Sequence, residues 1–147
     1  MNGEKPESSV ENLGNLDEAA LKALADFRLA LRRFLADSEA VTSSTGVTSQ
    51  QYQAMLVIRT QPGGIIAIKD LAEQMLLAPN GAVQLVDRLA GGGLVERRGS
   101  PRDRRSVLVN LTDAGGALVR RLAAAHLPEL RKRAPLLVES LRLLKDL

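Results

Sequence analysis

Between Ile68 and Thr112 the chain carries a dense series of structural signals, and their order constrains the fold more than any other feature. IKDLAEQMLL predicts a helix with Leu71, Ala72, Met75 and Leu76 on its inner face, and PNGAVQLVDRLAGGG a second with Val83, Val86 and Leu89 inward. Ala78 precedes that second helix, and Pro79 suits its first position, where a missing N–H costs nothing. The glycines Gly91 to Gly93 end it sharply. Helix, tight turn, helix is the helix-turn-helix arrangement.

The stretch GLVERRGSPRDRRSVLVNLT comes next along the chain. LVERR and SVLVNL read as the strands of a hairpin, because Val107, Val109 and Leu111 alternate with Ser106, Leu108 and Asn110. GSPRD supplies the turn. Arg97, Arg98, Arg102, Arg104 and Arg105 crowd this hairpin against Asp103, whereas acidic residues dominate the N-terminal end of the chain. A cation-loaded tip on an apolar mount calls for an anionic partner. Arg97 and Arg98 alternate faces, so one of them is expected to face that partner and the other a carboxylate.

The flanks are helical. Leu16, Ala20, Leu24, Phe27, Leu31 and Phe34 recur at steps of three and four, one stripe on a first helix expected to end near Ala40. Thr48 and Gln51 have capping-box spacing at the head of TSQQYQAMLVIRT, with Tyr52, Met55, Leu56 and Ile58 buried. QPGG stops that helix and IIAI continues as a short extended run. Thr112 is placed to cap DAGGALVRRLAAAHLPEL, and Pro135 to start a last helix, PLLVESLRLLKDL, with a break or kink around RKRA. Its Leu136, Leu137, Leu141, Leu144 and Leu147 form an apolar surface that suits either internal core or a partner's first helix. Residues 1–15 are polar, carry Pro6 and show no periodicity, and are expected to be a mobile tail.

A chain of 147 residues fits one domain and can bury a core unaided. With no cysteine and one histidine, disulfides, thiol switches and a zinc enzyme are excluded or disfavoured, and no cofactor is expected. The N-terminal segment lacks the apolar core of a signal peptide and no apolar run approaches a membrane span, so the expectation is a cytoplasmic protein without membrane contact. Asp17 with Glu18, and Asp37 with Glu39, lie on expected helix surfaces. No nucleophile-and-base arrangement stands out, and no enzyme is expected.

A helix-turn-helix followed by an arginine-tipped hairpin has a direct reading on duplex DNA. The second helix enters the major groove, while the hairpin reaches flanking backbone or minor groove, whose negative potential attracts arginine. The order of elements, with LVDRL at 85–89, GLVERR at 93–98 and DRRSVLVNLT at 103–112, resembles the multiple antibiotic resistance regulator (MarR) family of winged-helix regulators. The last string fits that family's D-x-R-x-x-x-V-x-L-T pattern through Asp103, Arg105, Val109, Leu111 and Thr112. The resemblance runs from about Leu16 to the C-terminus and includes the T-x-x-Q-Y opening at Thr48 and the P-G-G turn.

This resemblance implies a mainly α fold with a small β-hairpin wing (α+β). It implies a single winged-helix domain over 16–147, with a DNA-binding lobe at 48–112 and dimerisation helices at 16–40 and 113–147. It implies a homodimeric regulator, a repressor more often than an activator, that reads a pseudo-palindrome. Arg105 would enter the minor groove while Asp103 holds its guanidinium. Where many members carry serine or threonine at the head of the recognition helix, this chain has Ala78, Pro79, Asn80, Gly81, Ala82 and Val83. Base contacts then fall to Asn80 and Gln84, whose amides can pair with adenine, and Gly81 would admit close backbone approach.

Around this core of the site stand Arg98, Arg102, Arg104 and Lys69, with Arg88 open to phosphate contact or an ion pair. Asp87 is expected to join an ion-pair network between helix and wing. His126 reads as a packing or surface histidine, or as a pH-sensing or ligand group. Phe27, Tyr52, Met55 and Met75 are candidates for a small-effector pocket, aliphatic or aromatic in preference, or for ordinary core. The competing class is a winged-helix module that binds an acidic protein surface and not DNA.

Overall fold

The computed structural model describes residues 16–146; the expected tail over 1–15 and the terminal Leu147 lie outside the described residues. Among the described residues the order is α1 (Glu18–Ser43), α2 (Ser49–Thr60), a 3-10 turn (Pro62–Gly64), β1 (Ile65–Ala67), α3 (Ile68–Gln74), α4 (Pro79–Gly91), β2 (Val95–Gly99), β3 (Val107–Leu111) and α5 (Asp113–Lys145). The fold is mainly helical with a three-stranded antiparallel sheet ordered β1-β3-β2. The described residues divide into two compact units: the first joins 16–34 with 130–146, and the second is Leu35–Glu129.

In the second unit the local signals translate directly. Thr48 caps α2 through Gln51 N–H donating to its hydroxyl at 3.1 Å, and Gln51 Oε1 accepts from the Thr48 amide at 2.9 Å, the reciprocal box. Gly93, at φ 70°, closes α4: its N–H reaches the Ala90 carbonyl at 3.0 Å and that of Leu94 reaches Leu89 at 2.9 Å. That pairing is a Schellman motif, whose left-handed residue favours glycine. Met55, Ile58, Leu71, Val86, Leu89 and Val109 are fully buried, so the helix pair and the sheet share one core.

α3 ends in the same motif with a different residue. Leu77 N–H reaches the Ala72 carbonyl at 2.9 Å and Leu76 N–H reaches Glu73 at 3.2 Å, which puts Leu76 in the left-handed position at φ 54°. Leu76 is therefore 93% exposed, where periodicity placed it inward; Leu77 packs against the core instead. Val83 is likewise exposed, with Ala82 and Leu85 taking the inner face of α4. A left-handed L-residue carries about 1–2 kcal/mol of strain, so Leu76→Gly is expected to raise stability by up to about 1 kcal/mol after glycine's unfolded-state entropy. Its denaturant midpoint should rise with unchanged slope.

Two helix bounds differ from expectation. α1 continues past Ala40 to Ser43, where Thr42 and Ser43 turn their hydroxyls back onto carbonyls of the preceding turn. α5 is one helix through Pro128 and Pro135, with no break at RKRA. A proline removes a single N–H bond and crowds one carbonyl, and 33 residues of continuous helix absorb both.

His126 is buried in the second unit. Its Nδ1 lies 2.6 Å from the Leu122 carbonyl, which only accepts, so Nδ1 carries the proton and Nε2 accepts the Ser38 hydroxyl at 2.8 Å. Ser38 Oγ then accepts from Ser49 at 3.0 Å. The ring stacks on Tyr52 at 4.3 Å and 9°. Burial also raises the Tyr52 phenol above its ordinary range. The histidine thus joins α1, α2 and α5 as packing.

In the first unit, Ala20, Ala23, Ala30 and Ser140 are buried, while Leu16, Leu21, Leu24, Leu31, Leu136, Leu141 and Leu143 stay exposed. Small residues are thus the buried ones in this unit, while most leucines of the stripes read from the sequence stay exposed.

Candidate nucleic-acid interface

α4 presents a continuous outer face. Asn80, Gln84 and Arg88 recur every four residues, with Val83 and Asp87 beside them, and all are exposed. From Asn80 to Arg88 this face runs about 12 Å along the axis. Gly81 sits at its head, where an added Cβ would meet only the Leu77 side chain at an ordinary 3.6 Å. Nothing inside the fold requires glycine there. Lys69, in the first turn of α3, is also exposed.

The wing is mounted by β2 and β3 in the register Val95↔Leu111, Arg97↔Val109 and Gly99↔Val107. Its root is tied by Thr112, whose amide reaches the Leu94 carbonyl at 3.0 Å and whose hydroxyl donates to Gly93 at 2.7 Å. The same hydroxyl accepts from Gly115 at 3.0 Å and so caps α5. One side chain joins the end of α4, the end of the hairpin and the start of α5.

Ser100 and Asp103 build the tip. Ser100 Oγ accepts the amides of Arg102 at 3.3 Å and Asp103 at 3.2 Å, and Asp103 Oδ1 accepts the amide of Arg105 at 2.9 Å. The Ser106 amide closes the turn on the Asp103 carbonyl at 3.1 Å. Asp103 thus fixes the backbone that carries Arg105; among the described residues it makes no ion pair with the Arg105 guanidinium, the contact expected from sequence. Arg102, Arg104 and Arg105 project exposed, without a carboxylate partner among the described residues.

Of Arg97 and Arg98, it is Arg97 that takes the carboxylate. Arg97 shares a sheet face with Val109 and pairs with Asp87 of α4, the ion pair anticipated between helix and wing. Arg98 lies on the opposite face with Leu108 and Ala67, away from α4. Between α3, α4 and the wing a cleft of about 340 Å³ brings Lys69, Val83, Asp103 and Arg105 together. Of the effector candidates, Tyr52 and Met55 are core, Met75 packs against that core, and Phe27 belongs to the other compact unit. Among the described residues no group of histidines and carboxylates is placed to hold a metal, and no helix is long and apolar enough to cross a membrane.

A helix pair packed on a three-stranded sheet, with the hairpin projecting beside the second helix, defines the winged helix-turn-helix class. Residues 45–106 match the model of the MarR family. It is similar to an uncharacterized HTH-type transcriptional regulator of Bacillus subtilis, 39% identical over 59 residues, which cover 40% of this chain and 37% of that one. The organic hydroperoxide resistance transcriptional regulator of the same organism is 32% identical over 72 residues, 49% of this chain and 48% of the relative. The aligned parts thus span under half the length of both curated relatives. The fold matches AbsC, a MarR family regulator from Streptomyces coelicolor, with a TM-score of 0.74 at 21% identity over 81% of this chain and 80% of that one. It also matches a mutant MarR from E. coli complexed with operator DNA, with a TM-score of 0.66 at 22% identity over 81% and 84%.

Proposed function

We propose that the chain is a homodimeric regulator of transcription, acting as a repressor, that binds pseudo-palindromic duplex DNA through α4 in the major groove and the wing in the minor groove. The observation that carries this reading is the wing tip: Arg102, Arg104 and Arg105 are exposed, with no carboxylate partner among the described residues, on a turn built by Ser100 and Asp103, beside the Asn80–Gln84–Arg88 face. Structural relatives crystallised with DNA share this arrangement of elements. In this reading Asn80 and Gln84 read base edges, Lys69 and Arg88 hold phosphates, and the wing arginines enter the groove.

The exposed leucines of the first unit support the dimer, since an apolar stripe of that extent suits a second copy. Two copies would present two recognition helices to half-sites one helical turn apart, about 34 Å, or a multiple. An effector that favours one spacing of those helices would release the operator only through unequal affinity for the two states.

The test is the salt dependence of duplex binding by the full chain. Each phosphate engaged should steepen the plot of log affinity against log salt by about 0.9. A flat plot, or no duplex binding at low salt, overturns the proposal in favour of a protein-interaction module. Sedimentation should show a dimer, converted to monomer by Leu24→Glu with Leu141→Glu. Gly81 separates function from fold: Gly81→Ala should stabilise by up to about 1 kcal/mol, as alanine replaces glycine in a helix. The same variant should weaken duplex binding several-fold, because its methyl would stand where the backbone approaches DNA.

A further inference from the structure

On the face of the sheet turned away from α4, a cleft of about 590 Å³ opens between the end of α2, the sheet and the first turns of α5. Three guanidinium groups line it: Arg59 from the last turn of α2, Arg98 from β2 and Arg120 from α5. None of the three has an ion-pair or hydrogen-bond partner among the described residues. Asp113 is the carboxylate that shares the lining, which leaves an excess of two positive charges. Cations brought together from positions 59, 98 and 120 around a single carboxylate repel one another, and an anion relieves that repulsion.

A second observation narrows the chemistry. Asn110, also in the lining, donates through Nδ2 to the Leu111 carbonyl at 3.1 Å, while its Oδ1 is buried with no partner. A buried acceptor left unpaired costs free energy unless a donor arrives. An oxyanion offers acceptors alone, so a molecule satisfying both features joins an anionic group to a hydroxyl. The cleft is also larger than a bare oxyanion needs. We infer that this cleft binds a small phosphate monoester bearing a hydroxyl, a dianion that matches the excess charge, with the guanidinium groups on the phosphate and the Asn110 side chain turning to bring its Oδ1 out to accept from the hydroxyl. The site is separate from the wing tip, and Arg98 belongs to it in place of the DNA contact expected from sequence.

Ribose 5-phosphate and inorganic phosphate serve as probes, titrated calorimetrically into the full chain. Ribose 5-phosphate should bind more tightly than inorganic phosphate, and Asn110→Ala should abolish that preference. Arg59→Gln and Arg120→Gln should each weaken ribose 5-phosphate about ten-fold, a typical loss for a charge-assisted contact, with duplex affinity unchanged. Absence of binding by either probe, or binding untouched in both arginine variants, overturns the inference. If duplex DNA displaces the probe and the arginine variants lose duplex affinity with a shallower salt dependence, the phosphate is that of the DNA backbone and the small-ligand assignment falls. Duplex binding by the unaltered chain is read separately, so failure here is distinct from failure of the regulator reading.

Discussion

Gly115→Ala should destabilise the second compact unit by more than about 3 kcal/mol, the range of severe overpacking against atoms that cannot retreat. A Cβ at this position would stand 2.0 Å from the Leu94 carbonyl oxygen and 3.0 Å from its carbon. Leu94 is held from both sides. Its amide closes the Schellman motif on Leu89 at 2.9 Å, and its carbonyl accepts the Thr112 amide at 3.0 Å. Relieving the clash therefore loosens the end of α4, the root of the wing or the cap of α5. The neighbouring residue supplies the control: a Cβ at Gly116 meets nothing within 4 Å, so Gly116→Ala should stabilise by up to about 1 kcal/mol through helix propensity. Denaturant unfolding of the two variants measures both, and a Gly115→Ala midpoint equal to that of the parent would refute the close contact.

The largest effect on binding is expected at the wing. Arg105→Ala should weaken duplex affinity by about ten- to a hundred-fold, the range for loss of one well-placed arginine contact, and most at sites with a narrow A/T-rich minor groove. Asp103 divides two mechanisms. If its carboxylate acted on the Arg105 guanidinium by charge, Asp103→Asn and Asp103→Ala would weaken binding alike. The structure has it accept the Arg105 amide at 2.9 Å, a role the asparagine side-chain oxygen can fill. Asp103→Asn should therefore bind at least as well as the parent, having one negative charge fewer near phosphate, while Asp103→Ala loses affinity. Electrophoretic mobility shifts on one A/T-rich duplex and one G/C-rich duplex distinguish these outcomes. Equal loss in both Asp103 variants would restore the charge mechanism.

The family pattern ending at Thr112 takes on a physical meaning from these contacts. Asp103 builds a turn, Val109 fills the core, and Thr112 ties three elements together. Much of the pattern describes how a wing is held, and Arg105 is its member left exposed at the tip.

The amino-acid sequence by itself determined what depends on neighbours along the chain. The Thr48 box, Pro79 at the head of α4, the glycine stop after it and the alternation of β3 all come from spacing and backbone preference. The tertiary structure decided what depends on residues far apart. Leu76 turns outward because Leu77 takes the core position; α5 runs through two prolines; Gly115 is required by a carbonyl from another element. Arg59, Arg98 and Arg120 carry no shared signal along the chain, since each sits on its own element, and only the packing of α2, the sheet and α5 brings them to one cleft.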